Sequence, residues 1–200
     1  MSHEQPFEEV LKKQLVLASR SPRRAEILNA VGWHFETEAP DIDESRFEGE
    51  DAVPYVRRLA QTKAETVAKN RPSGLVLGAD TVVLVDDEIL GQPRDANDAR
   101  RMLKLLSGRW HEVLTGVALL RVRQGQVMAD HETTRVRFAG MSVAEIDWYV
   151  ATGEPMDKAG AYAVQGRAAL FIEEIQGDYF NIVGLPVRLV YKLARKIQEV

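Results

Sequence analysis

The chain has 200 residues, enough for one domain with a substantial core or two closely packed lobes. Hydrophobic residues make up 45% and charged residues 28%, and a net charge of -4 argues against sequence-independent binding to nucleic acid. Cysteine is absent, which excludes disulfides, thiolate metal sites and a cysteine nucleophile.

The polar start, "MSHEQPFEEVLKKQ", lacks the apolar core of a signal peptide, and residues 1–14 read as an extension ahead of a single domain, 15–200. No apolar run is long enough to span a bilayer, so the reading is a cytoplasmic protein with no membrane partner. Leu15 to Ser19 reads as a buried strand. Ser21 suits an N-cap, Pro22 the first helical position and Gly32 the stop. A short strand is expected within 33–40, followed by the acidic loop "DIDESRFEGED".

Residues 52–69 show helical spacing, with apolar Val56, Leu59, Ala60, Ala64 and Val67, and "RPSG" breaks the pattern. "LVLGADTVVLV", 75–85, is rich in branched residues and predicts a strand, which "DDE" turns into a short return at Ile89 and Leu90. Asp95 caps a helix ending near Ser107, with Gly108 after it. Two long strands, about 110–123 and 126–138, meet at "RQGQ". Ser142 and Glu145 form a capping box, opening a helix to about Ala151. Residues 158–175 read as loop and strand, and Pro186 opens a last helix to about Gln198. Alternating elements followed by a hairpin indicate an α/β domain with a mixed sheet.

Three features break these local rules. Arg23 and Arg24 fall in the first turn of a helix, where the dipole disfavours cations. An anion docked at the helix start reverses that balance, and arginine grips phosphate in a bidentate way; a solvated pair is the alternative. Asp80 interrupts an apolar strand, where an isolated carboxylate is costly. Leu77, Ala79, Thr81 and Val83 share one face of that strand, so Asp80 lies with Gly78 and Val82 on the other, smaller one. The favoured reading is a site carboxylate. Lys63 lies four residues after Leu59 on the inward row of its helix, either snorkelling or reaching an anion. The acidic loop offers Asp41, Asp43 and Glu44 as oxygen donors for a hard cation. His34, His111 and His131 show no metal spacing, and Walker-type, dinucleotide and G-x-S-x-G motifs are absent.

"LASRSPRRAEIL", "RLAQTKA", "GADTVV", "LSGRWHEVLTGV", "YVATGEPMDKAGAYAVQG" and "VGLP", in this order, resemble the Maf family of nucleotide pyrophosphatases over nearly the whole chain. The resemblance implies an elongated mixed, twisted sheet with flanking helices and a cleft between two lobes, like the inosine triphosphate pyrophosphatases. It implies hydrolysis of a nucleoside triphosphate between the α and β phosphates, a magnesium or manganese requirement, and often a homodimer. Carried over by motif, Asp80 would be the proton acceptor. Ser19, Arg24, Lys63 and Lys158 would meet phosphate, with Lys63 and Arg24 also counted as catalytic, and Asp157 would line the site. Glu44, with Asp80, would hold the metal; an ionised Asp80 serves equally as base or ligand.

Arg23, Thr81 and Gln165 match the dTTP/UTP-type subgroup, where the 7-methyl-GTP type usually has an aromatic residue, Gln and Glu. Gln92 stands where many members have lysine. The alternatives to a dTTP/UTP pyrophosphatase of the nucleotide pool are a 7-methyl-GTP enzyme and a nucleotide-sensing regulator of cell division without chemistry.

Overall fold

A computed structural model describes residues 15–197; the expected extension at 1–14 lies outside them. β1 (Leu15–Ala18) is buried throughout and pairs in parallel with β2 (Phe35–Thr37) on one side and β3 (Leu75–Val85) on the other. A two-residue turn at Asp86 and Asp87, both at positive φ, folds β3 back onto β4 (Glu88–Leu90) in antiparallel register. β5 (Trp110–Arg121) and β6 (Gln126–Phe138) are the two long strands, and β7 (Ile172–Gln176) pairs antiparallel with β6. Among the described residues the seven strands form one mixed sheet, ordered β2-β1-β3-β5-β6-β7, with β4 off the path beside β3.

Helices α1 (Pro22–Ala30), α2 (Ala52–Ala68), α3 (Ala96–Leu106), α4 (Val143–Ala151), α5 (Tyr179–Val183) and α6 (Val187–Lys196) complete the α/β architecture. The Asp95 carboxylate accepts the backbone N–H groups of Asn97 and Asp98, each at 2.8 Å, and Ser142 with Glu145 closes the expected capping box. Ser21 occupies the N-cap of α1, but its side chain caps nothing. Its backbone N–H donates instead to Ser19 Oγ at 3.1 Å.

The strand expected over 33–40 shrinks to Phe35–Thr37, and the last helix begins after Pro186 rather than at it. Two features differ more. Residues 154–171 hold three short 3₁₀ turns ahead of β7, and α5 lies in a stretch to which the sequence pattern assigns no element. Asp178 explains α5: its carboxylate accepts Phe180 N–H at 2.7 Å, giving a short helix its start.

The chain divides into two compact units. The first comprises the described residues up to Asp80, Gly116–His131 and those from Gly184 onward. Its core packs Val16, Ala18 and Val76 of the sheet against Ala60, Ala64 and Val67 of α2. The second comprises Thr81–Thr115 and Glu132–Val183. Its core gathers Leu103 and Leu106 of α3, Ile146 and Tyr149 of α4, and Phe138 and Phe171. His111 belongs to this core, edge-on to Phe138 and Tyr162, and burial lowers its pKa to about 4. It is therefore a neutral packing residue at pH 7.

Candidate active site

Within the first unit, side-chain bonds join Ser19 to Arg24 and Lys63 to both Glu44 and Asp80, and the Arg24 and Asp80 charges act on each other. The cause is a close approach. A Cβ on Gly78 would lie 2.1 Å from the carbonyl oxygen of Ala60 and 2.9 Å from the nitrogen of Ala64. Glycine at 78 thus lets the backbone of α2 rest directly on β3. The small face around Asp80 is therefore covered by this helix, and the helix delivers Lys63 to the carboxylate two residues along the strand.

Lys63 Nζ donates to Asp80 Oδ1 at 2.6 Å and lies 2.8 Å from Glu44 Oε1. Lys63 is 7% exposed and Asp80 8%, so this is a buried ion pair and not a snorkelling lysine. Arg24 is buried as well; its Nε donates to the carbonyl of Gly184 at 2.8 Å and its Nη1 to Ser19 Oγ at 3.1 Å. Burial lowers the pKa of Arg24, and the nearby Asp80 carboxylate opposes that. Arg24 is therefore a seated cation, not one of a solvated pair. Arg23, half-buried, follows Pro22 in the same first turn, which holds no acidic residue.

Burial pushes the Asp80 carboxyl above the usual carboxylate range, while the Lys63 ammonium and the Arg24 guanidinium pull it back. A carboxylate made more basic by burial, with two cations beside it, is suited to accepting a proton. Two of the three Lys63 donors go to carboxylates.

The donor set also bears on a metal. Asp80 and Glu44 bring two carboxylates to one cationic position. Magnesium characteristically takes one or two carboxylates and completes its shell with phosphate oxygens and water. Among the described residues no group of three or more His, Cys, Asp or Glu gathers around a common point. The residues thus fit a cation carried in with phosphate better than a protein-only cage.

Sequence reasoning missed what holds Glu44. Its loop is organised by Arg58, whose Nε and Nη2 each lie 2.7 Å from a Glu50 oxygen. Nη2 also donates to the carbonyl of Ser45 at 3.0 Å, and the guanidinium sits 3.9 Å over the ring of Phe47. Tyr55 Oη donates to the Glu44 carbonyl at 2.8 Å. The signal was an arginine on a helix flanking an acidic loop, which by itself resembles any solvated charge. Arg58→Ala is expected to loosen the loop more than the fold. Limited proteolysis within 41–51 should speed by about tenfold, while Tm falls by only about 2–4 °C.

In the second unit, Thr81 Oγ1 lies 2.9 Å from Thr115 Oγ1, which donates to the Asn181 carbonyl at 3.2 Å. Lys158 Nζ pairs with Asp157 and contacts the Glu154 carbonyl at 3.4 Å. Gln92 Nε2 donates to the Asp157 carbonyl at 3.3 Å, so the residue standing for the family lysine touches the same segment without a charge. Gln165 is exposed on the turn that follows Val164.

A mixed sheet with a buried carboxylate–ammonium pair beside a buried arginine is an arrangement for handling a charged, anionic ligand. Residues 14–197 match the family described as "Maf-like protein", and the chain belongs to that family. A protein of Symbiobacterium thermophilum named dTTP/UTP pyrophosphatase is 54% identical over 88% of this chain and 89% of its own. Proteins of the same name from Geobacillus sp. and Dictyoglomus thermophilum are 48% and 42% identical, each over 94% of this chain and 97% of their own.

Proposed function

We propose that this chain hydrolyses dTTP and UTP between the α and β phosphates, releasing the monophosphate and pyrophosphate and so clearing surplus or modified pyrimidine nucleotides. The reading is carried by the buried Asp80–Lys63 pair in a chain whose relatives bear the name dTTP/UTP pyrophosphatase over nearly their full length. Neither a 7-methyl-GTP enzyme nor a nucleotide sensor without chemistry is favoured by those names.

Asp80 accepts a proton from the attacking water. Ser19, Arg24, Lys63 and Lys158 take phosphate oxygens through charge-assisted or hydroxyl hydrogen bonds. Asp80 and Glu44 would hold magnesium or manganese, which when bound neutralises charge developing on the phosphates. Arg23, Thr81 and Gln165 read the base. A Gln side-chain amide offers one acceptor and two donors, matching the imide N–H and carbonyls of thymine or uracil. The protein works in the cytoplasm, where its substrates are made, and as a homodimer; light scattering reads the latter.

Pyrophosphate release from dTTP, UTP, CTP and 7-methyl-GTP, with magnesium or manganese, tests this reading. dTTP and UTP are expected to exceed CTP and 7-methyl-GTP by at least about tenfold in kcat/KM, since cytosine lacks the imide N–H and an unpaired polar group is costly. Arg23→Trp, Thr81→Gln and Gln165→Glu together should move preference toward 7-methyl-GTP. A wild-type preference for 7-methyl-GTP overturns the assignment to pyrimidine nucleotides.

A further inference from the structure

The turn that carries Gln165 is wrapped around a single carboxylate. Glu154 accepts the Arg167 backbone N–H at 2.9 Å through Oε1 and at 3.2 Å through Oε2. Tyr149 Oη donates to Glu154 Oε1 at 2.8 Å and accepts the Ala163 N–H at 3.1 Å. One carboxylate and one phenol therefore hold the chain two residues before and two residues after Gln165. Gly166 N–H closes the turn on the Ala163 carbonyl at 3.0 Å. A Cβ on Gly166 would lie 2.3 Å from Glu154 Oε1, so the backbone sits directly against the carboxylate.

The anchors are themselves anchored. Tyr149 is fully buried, and burial raises its pKa, so it stays a proton donor to Glu154 at any working pH. Glu154 N–H donates to Thr152 Oγ1 at 3.2 Å, and Thr152 Oγ1 donates to the Tyr149 carbonyl at 2.6 Å. None of these groups is needed merely to close a loop; a surface turn is ordinarily satisfied by water. A buried phenol committed to it at this cost is the signature of a side chain that must be held in place.

We propose that Glu154 and Tyr149 are positioning residues for base selection: they clamp the 163–167 turn so that the Gln165 amide is presented in one orientation. The inference rests on the reading of Gln165 given above. Displacing a hydrogen-bonding amide by about 1 Å weakens a directional match far more than a phosphate contact held by charge.

The test is kcat/KM for dTTP and for CTP in Glu154→Gln, Tyr149→Phe, Gln165→Ala and the Glu154→Gln/Gln165→Ala pair. Glu154→Gln and Tyr149→Phe should each lower the dTTP-to-CTP ratio by about tenfold, as Gln165→Ala does, with KM for dTTP rising more than kcat falls. The double variant should be no less selective than Gln165→Ala alone, because both changes remove one function. A folded Glu154→Gln protein with the wild-type ratio overturns the proposal and, where Gln165→Ala does lower the ratio, leaves the role of Gln165 standing. Equal losses on dTTP and CTP also overturn it, since they mark a structural role alone. A Gln165→Ala protein with the wild-type ratio removes the reading of Gln165 and this inference with it. Hydrogen exchange on the unmodified protein is a check that needs no variant to fold. The Ala163 and Arg167 amides should be protected, and exchange at the rate of free amides overturns the clamp.

Discussion

Asp80→Asn is expected to lower dTTP turnover by about 10²–10⁴-fold, the usual worth of a positioned proton acceptor, while the protein stays folded. Its stability should equal or exceed that of the wild type. Burial outweighs the two cations in setting the Asp80 pKa, so the neutral side chain is the better tolerated one. Lys63 meanwhile keeps Glu44 as a partner. Lys63→Met is the opposite case. It leaves a carboxylate that is 8% exposed without its ammonium, and breaking a buried pair from this side costs about 3–5 kcal/mol. The Lys63→Met/Asp80→Asn pair should recover that stability and none of the activity.

The pH dependence follows from the same shift. A carboxyl raised by burial binds its proton more readily in the folded than in the unfolded state. Its stabilising effect is complete below the ordinary carboxylate value and is lost as pH rises through the folded value. The wild type should therefore lose Tm as pH rises through this range, and Asp80→Asn should lack that loss. Substantial turnover by folded Asp80→Asn would remove Asp80 from the chemistry.

Gly78→Ala is expected to be strongly destabilising although it adds only one methyl group. Alanine suits a strand better than glycine by about 0.5–1 kcal/mol, but here its Cβ meets helix backbone at 2.1 Å. No rotamer relieves a clash with a carbonyl oxygen, so α2 must lift off β3. A cost of about 3 kcal/mol or more is expected, near the upper end for overpacking, and Tm should drop by about 6–12 °C. The displaced helix carries Lys63, so kcat/KM should fall even at temperatures where the variant is folded. A Gly78→Ala protein with wild-type Tm and kinetics would show that α2 does not depend on this contact.

Much of this molecule was legible in the chain because local rules are local. The strand over 75–85, the α2 pattern with Lys63 inward, the Asp95 cap and the Ser142 capping box all depend on neighbours within a few residues. The turns over 154–171 and the α5 helix were not legible, because their bonding partners are Tyr149, Glu154 and Asp178 side chains instead of a repeating apolar pattern. Boundaries at Pro40 and Pro186 also shifted, since proline restricts a helix or strand without saying at which residue it ends.

Taken by itself, the sequence determined the α/β class, the oddity of Arg24, Lys63 and Asp80, and the motifs that resemble the family. Each of those three residues violates a rule that can be checked within one element, and a violation is visible wherever the rule is. The tertiary structure alone decided that the three anomalies are connected. Lys63 and Asp80 are seventeen positions apart, and Arg24 bonds the carbonyl of Gly184 from the far end of the chain. It also decided that Glu44 is the acidic-loop residue that reaches them, because Arg58 and Tyr55 hold that loop. The physical reason is burial. A charge inside an apolar element is expensive until a partner arrives, and the packing of α2 on Gly78 of β3 and Gly116 of β5 determines which partner that is.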